Sequence, residues 1–399
     1  MKSRFLILLA ACSGIVCLAG VSHAQGAGRL IVTMKPGAGV EEKAAVRQAH
    51  ALALIHDLPI VGAMAVQAAV PAKVKAALGK DPRVLRVEDD AVVTALNPLA
   101  DKSGKPGGKK PPPPPPPAQE VPWGIARIGA ESAWGQSTGS GVKVAVLDTG
   151  IDGKHPDLAA NYGGGVNIIN TRKSANDDNG HGTWCAGIVA ALNNNLGVVG
   201  VAPDATVYAV KVLDRRGSGF ISDIIAGIQW AAASDMNVIS MSLGTDSDVQ
   251  ALREACDAAY AAGLLIVAAA GNDGDGTEGT DEVDYPAAYE SVCAVGATDL
   301  DDGHPAWSSD GNSVELAAPG VKVVSTYKGG EYGSGDGTSA ACPHVSGVVA
   351  LVLSLSPDMS PAEVRTLLEQ TAEDLGSAGR DGFFGSGLVD AEAAVTGAR

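Results

Sequence analysis

A serine hydroxyl becomes a nucleophile only when a neighbouring imidazole takes its proton, and that imidazole needs a carboxylate to fix its tautomer and stabilise its charged form. The chain offers all three groups in extended motifs: Asp148 ends an apolar run in VAVLDTGID, His181 opens a helical stretch in DDNGHGTWCAGIVA, and Ser339 opens another in GSGDGTSAACPHVSG. Each has an ordinary structural reading, Asp148 as a strand-end turn former and the other two as helix N-caps. Their joint occurrence, in the order Asp, His, Ser, favours catalysis. Asn272 in LLIVAAAGNDG follows a strand, where its amide can meet negative charge on an attacked carbonyl oxygen; the backbone N–H of Ser339, at a helix start, is a second donor.

The elements that must position these groups read as a doubly wound, mostly parallel α/β sheet from Val121 onward. Expected strands are Val142 to Leu147, Thr206 to Val212, Val238 to Ser242, Leu264 to Ala270 and Val292 to Ala297, and helices begin near His181, Ser222, Val249, Thr338 and Ser360. Ligands of such sheets sit beyond the carboxyl ends of the strands, where Asp148 falls. Residues 29–96 read as a small α+β unit: a strand at Leu30 to Met34, a helix from Glu41, strands around Leu52 to Ile55 and Ala63 to Val70, a helix from Pro71 and a last strand at Val84 to Val93. Residues 97–117, ending in seven prolines from Pro111, form an extended polyproline linker before a domain over 118–399.

The three motifs and their order resemble the subtilisin-like serine protease family, or subtilases. The resemblance implies a serine endopeptidase that hydrolyses extended polypeptides through an acyl-enzyme. It implies two substrate-binding edges, Gly217-Ser218-Gly219 and Ser242-Leu243-Gly244, between which a substrate lies as an added β-strand. Asp284, just before the Tyr-Pro pair of EVDYPAAY, falls at the base of the primary specificity pocket, where broad-specificity relatives carry glycine; a carboxylate there suits Lys or Arg before the scissile bond. The stretch LNNNLGVVGVAP resembles the family's tight calcium loop, with side chains of Gln119, Asp157 and Asn194 and carbonyls of Leu192, Leu196 and Val198 as ligands. Residues 29–96 resemble the ferredoxin-like inhibitory pro-domain of a self-processed zymogen, which serves its own catalytic domain as intramolecular chaperone and inhibitor, with RVEDDAVVTAL as its terminal strand. Here the chain departs from the pattern. Twenty-one linker residues separate Leu96 from a mature domain that starts near Ala118, and Leu96 is the simplest site of self-cleavage.

Composition agrees. With 399 residues, 46% hydrophobic, and 51 glycines, the chain can bury a large core and a smaller second one. Residues 1–117 hold 15 Lys and Arg against 8 Asp and Glu (+7), and residues 118–399 hold 14 against 37 (−23), so the two parts suit mutual docking. So acidic a domain repels nucleic acid and anionic membrane and points to polypeptide partners or cations; the protein is expected to act as a monomer. Lys2, Arg4, an apolar run from Phe5 to Val21 and Ser22-His23-Ala24 form a signal peptide over 1–24, hence a secreted protein, with lipid anchoring at Cys12 as the alternative. Export permits disulfides: Cys256 with Cys293 is the expected pair, and Cys185 and Cys342 are paired or free. An aspartic protease would need a second DTG or DSG, and Ser309-Asp310-Gly311 is only SDG. A nucleotide-binding loop at residues 333–337 lacks the lysine of a phosphate loop.

Overall fold

The run RLIVTM decides how the molecule is put together, because alternate residues of one strand point to opposite faces of its sheet. A computed structural model describes residues 28–96 and 117–398; the expected leader with Cys12, and the linker except for Pro117, lie outside the described residues. The first unit contains β1 (Arg29–Met34), α1 (Val40–Ala49), β2 (Ala53–Leu58), β3 (Ala63–Gln67), α2 (Pro71–Leu78) and β4 (Val84–Asp89), followed by β5 (Val92–Ala95). Its four-stranded antiparallel sheet has the order β2-β3-β1-β4, the ferredoxin-like arrangement. Leu30, Val32 and Met34 of β1 face one way, into the unit's own core with Val46 and Leu78 of the two helices. Ile31, together with Leu58, Ala63 and Ala65, faces the other way and belongs to a core of the second unit. A fully buried aliphatic side chain such as Ile31 is worth about 1.5–3 kcal/mol, so docking draws on the same strand that holds the unit together.

The second unit contains α3 (Trp123–Arg127), α4 (Ala130–Ala133), β6 (Lys143–Asp148), β7 (Tyr162–Asn167), α5 (His181–Ala190), β8 (Thr206–Lys211), β9 (Ser218–Phe220), α6 (Ile221–Ala233), β10 (Val238–Met241), β11 (Leu243–Gly244), α7 (Gln250–Ala261), β12 (Leu265–Ala269), β13 (Cys293–Thr298), β14 (Val314–Pro319), β15 (Val323–Tyr327), β16 (Glu331–Gly335), α8 (Thr338–Leu355), α9 (Pro361–Thr371) and α10 (Ala391–Gly397). Seven strands in the order β14-β13-β12-β10-β6-β8-β7 form one sheet, parallel throughout. This is the doubly wound α/β architecture expected. Residues of α5 and α8 share one core with Val144 and Val146 of β6, and residues of α6 and α7 share another with Ala145 and Leu147. β6, an interior strand, is therefore apolar on both faces, as a buried parallel strand must be. The sheet of the first unit packs over α6 and α7.

Two expectations need correction. The last strand of the first unit does not run unbroken from Val84 to Val93. It ends at Asp89, Asp90 turns inward to bond Arg29 and Ser222, and β5 leaves to join the second unit. The Cys256–Cys293 disulfide does not form, and all four described cysteines are free and buried. Cys256 lies in the α6–α7 core, whereas Cys293 belongs to the α5–α8 core across the sheet and its neighbour Ala294 to the α6–α7 side. Side-chain alternation along β13 turns the thiol away from its expected partner.

Candidate active site

β6 is hydrogen-bonded on both sides by parallel neighbours, so its C-terminal residue Asp148 is delivered to the edge of the sheet with no exposure. His181 begins α5, and its Nδ1 stands 2.9 and 2.8 Å from the two carboxylate oxygens of Asp148. A residue outside the expected set fixes this approach. The buried carboxylate of Asp177 accepts from the backbone N–H of Asn179, Gly180 and Thr183 at the start of α5 and from the hydroxyls of Thr149 and Thr183. The Thr149 oxygen in turn accepts from the Gly182 N–H, tying the end of β6 to the first turn of α5. The motif DDNGHGT held the signal, an acidic residue just before a helix start. Burial disfavours the imidazolium of His181, but the Asp148 carboxylate, aided by Cys185, raises its pKa well above the ordinary range. Cys185, one turn along α5, places its sulfur 3.8 Å from His181 Nδ1.

Ser339 is the second residue of α8, where the unpaired N–H groups of the first turn favour negative charge. Its hydroxyl donates to the Ser242 carbonyl at 3.4 Å, and no hydrogen bond joins it to His181. Asn272 lies on the turn after β12, and its side-chain oxygen accepts from both the N–H and the hydroxyl of Thr338 at 3.0 Å. Thr338 thus orients the Asn272 amide so that Nδ2 points outward, and the group it meets is the carbonyl of Leu96. Nothing in the local sequence marked Thr338 for that role.

The expected substrate-binding edges come together around β5. It lies antiparallel between β9 and β11, with Val93 opposite Gly219, Thr94 opposite Ser218 and Gly244, and Ala95 opposite Leu243. The Ala95 N–H donates to Gly217 O at 2.8 Å and the Leu96 N–H to Ser242 O at 3.3 Å. Glycine at 219 is required by space, since a Cβ there would stand 2.3 Å from the Val212 carbonyl oxygen. Ion pairs and a histidine contact flank this strand: Arg29 meets Asp90 at 2.7 Å and Asp223 at 3.1 Å, Arg86 meets Glu254 at 2.8 Å, and the His56 ring meets Asp223 at 2.7 Å.

Asp284 sits behind Gly244 and Gly271, near enough that a Cβ on Gly244 would come within 2.5 Å of its Oδ2. Its residue is only 7% exposed, and among the described residues no ion pair or side-chain hydrogen bond engages it. Burial, with the charges of Asp273 and Asp246, pushes its carboxyl up to about 7. The six expected calcium ligands gather where the loop after α5 meets the start of the second unit. Gln119 Oε1 accepts from the N–H of Asn194 and Asn195, Asn194 Oδ1 accepts from the Leu196 N–H, and the Asp157 carbonyl accepts from the Leu192 N–H. Asp157 Oδ2 accepts from the Val198 N–H and the Tyr332 hydroxyl, while Asp157 Oδ1 is buried without a partner. A buried, unpaired carboxylate oxygen amid amide and carbonyl oxygens fits a hard cation.

Residues 139–387 match the subtilase family. The chain is 44% identical over 343 residues to an alkaline protease of Alkalihalobacillus alcalophilus, covering 86% of this chain and 81% of that protein. It is 49% identical over 279 residues to subtilisin Savinase of Lederbergia lenta, covering 70% of this chain and all of that protein. It is 44% identical over 320 residues to subtilisin E of Bacillus subtilis, covering 80% and 77%. Matches of this extent, on a fold of this topology, establish that the chain belongs to the subtilase family of serine endopeptidases.

Proposed function

We propose that the protein is a secreted endopeptidase made as a self-processed zymogen, with Asp148, His181 and Ser339 as its triad and residues 29–96 as inhibitory pro-domain and chaperone. The observation that carries this reading is the placement of Leu96: its chain lies antiparallel between two edges of the second unit and its carbonyl oxygen meets the Asn272 amide. A substrate carbonyl held there would be the one attacked. The Ser339 hydroxyl turns from Ser242 towards His181 Nε2, which takes its proton as Oγ adds to the carbonyl carbon. Asp148 holds the Nδ1–H and stabilises the imidazolium, and the oxyanion is met by Asn272 Nδ2 and the Ser339 N–H. His181 then gives its proton to the departing amine, and water releases the acyl group by the same route. Cleavage after Leu96 leaves that residue in place as a product, which is why the pro-domain inhibits.

Calcium, when bound, would tie the 192–198 loop to the chain start through Gln119, Asp157 and Asn194 and the carbonyls of Leu192, Leu196 and Val198. It would serve stability and not the chemical step. Asp284 would set a preference for Lys or Arg before the scissile bond. The leader supports secretion.

The test is labelling with a serine-directed fluorophosphonate, with Ser339→Ala alongside. Labelling and loss of the pro-domain are expected in the parent, and neither in the variant. Labelling that survives Ser339→Ala would refute the triad. A variant of mature size, made without other proteases, would refute self-processing.

A further inference from the structure

The turn between Asn272 and Asp284 holds six acidic residues in positions 273–284, and it folds over a seventh. Asp310, from a distant segment, has no exposure, and neither of its carboxylate oxygens has a hydrogen-bond partner. Facing it is the carboxyl of Glu282, whose Oε2 is also buried and unpartnered, with the charge of Asp275 nearby and only the Gly279 N–H directed at Asp310 in compensation. The backbones are locked in this opposition, since the Glu282 N–H donates to the Asp310 carbonyl at 3.1 Å. Further carboxylates, those of the exposed Asp281 and Glu278, border the pair on its solvent side. A Cβ on Gly311 would stand 2.4 Å from Asp281 Oδ1, and one on Gly382 would stand 3.8 Å from Asp310 Oδ2 and 4.0 Å from Glu278 Cγ.

Like charges driven together out of water are unstable unless something neutralises them. Among the described residues no Lys, Arg or His forms an ion pair with any of these carboxylates. A proton shared by Asp310 and Glu282 removes one charge of that pair and leaves the other buried beside the exposed carboxylates of Glu278 and Asp281. A hard divalent cation answers the whole cluster, since it takes six or more oxygens at once and tolerates irregular geometry when it is of calcium size.

We propose that Asp310 and Glu282 hold a calcium-class divalent cation that pins the 273–284 turn to the segment around Asp310, with the carboxylates of Glu278 and Asp281 and water completing its shell. This site is separate from the one around Asp157 and is independent of the catalytic reading. Its consequence is positional. The pinned turn begins at Asn272 and ends at Asp284, so the cation would fix the oxyanion donor and the pocket carboxylate together.

The experiment uses the full chain carrying Ser339→Ala, which prevents autolysis, stripped of metal and titrated with calcium chloride. Equilibrium dialysis counts the bound ions and thermal unfolding follows the effect. Asp310→Asn and Glu282→Gln are each expected to bind one calcium equivalent fewer than the parent and to lose part of the calcium-dependent rise in Tm. Asp157→Asn is expected to lose a different equivalent, so that combining it with Glu282→Gln abolishes both. Glu282 is half-buried, so its variant serves if Asp310→Asn fails to fold. Undiminished calcium binding by folded Glu282→Gln would overturn the proposal. So would a parent whose whole calcium response vanishes with Asp157→Asn, which would leave the carboxyl pair to a shared proton.

Discussion

Replacing Asp284 by glycine separates a carboxylate that reads substrate charge from one that is merely buried. Its rise from an ordinary 3.8 to about 7 amounts, at about 1.36 kcal/mol for each tenfold change, to about 4 kcal/mol against ionisation while the apolar Leu96 occupies the cleft. A lysine ammonium or arginine guanidinium about 4 Å away, at an effective dielectric constant near 20, returns about 4 kcal/mol. Desolvating that cation takes back part of the gain, leaving about 1.4–2.8 kcal/mol, a ten- to hundredfold preference. The sign with pH follows from the direction of the shift. Below about 7 the carboxyl is protonated and neutral and discriminates little between Lys and Leu; above it the carboxylate is charged and favours Lys. Chromogenic peptides ending in Leu, Phe, Lys and Arg should therefore give a Lys-to-Leu ratio of kcat/KM that climbs as pH passes through about 7. Asp284→Gly and Asp284→Asn should flatten that climb and lower the ratio about ten- to hundredfold. A ratio independent of pH in the parent, or unchanged in Asp284→Gly, would remove Asp284 from the pocket.

Because His181 must be neutral to accept the Ser339 proton and Asp148 raises its pKa, activity should fall as pH drops through a value above the ordinary histidine figure of about 6.5; a pH profile of kcat/KM with its acid limb below that figure would contradict the assignment. In the Ser339→Ala protein, chelation should lower Tm, since calcium at about a hundred times its Kd contributes about 2.7 kcal/mol to the folded state. Asp157→Asn should shrink that drop, and an undiminished drop, followed by calorimetry, would take Asp157 out of the site.

The sequence was most legible where chemistry and periodicity coincide. The runs around Val146, Val207, Ile239, Val267 and Val295 are apolar on both faces, and each became a strand of the parallel sheet. Asp148, His181, Ser339 and Asn272 were readable as candidates because each falls at or just beyond the end of a strand or the start of a helix. What stayed hidden depends on distant partners. β7 escaped notice because Gly163, Gly164 and Gly165 read as loop, and pairing with β8 makes them a strand. The break at Asp90 depends on Arg29 and Ser222, which lie 61 residues before it and 132 after it. Cys293 could not be assigned without knowing which face of β13 meets α7, and the opposition of Glu282 to Asp310 arises only when two loops meet.

If residues 29–96 inhibit as proposed, the strand β5 also makes that inhibition a matter of concentration. While residues 29–96 remain joined to the second unit, Leu96 competes for the cleft as an intramolecular ligand, at an effective concentration of order mM for a short flexible tether and lower for a long one. Substrate at micromolar levels and of similar Kd competes poorly with it. On that reading, cutting the chain after Leu96 turns its carbonyl into a carboxylate, leaves β5 between the same two edges, and converts the tethered segment into a free ligand. From then on occupancy follows its Kd and the total protein present, so dilution alone, as on release from a cell, would begin to uncover the site.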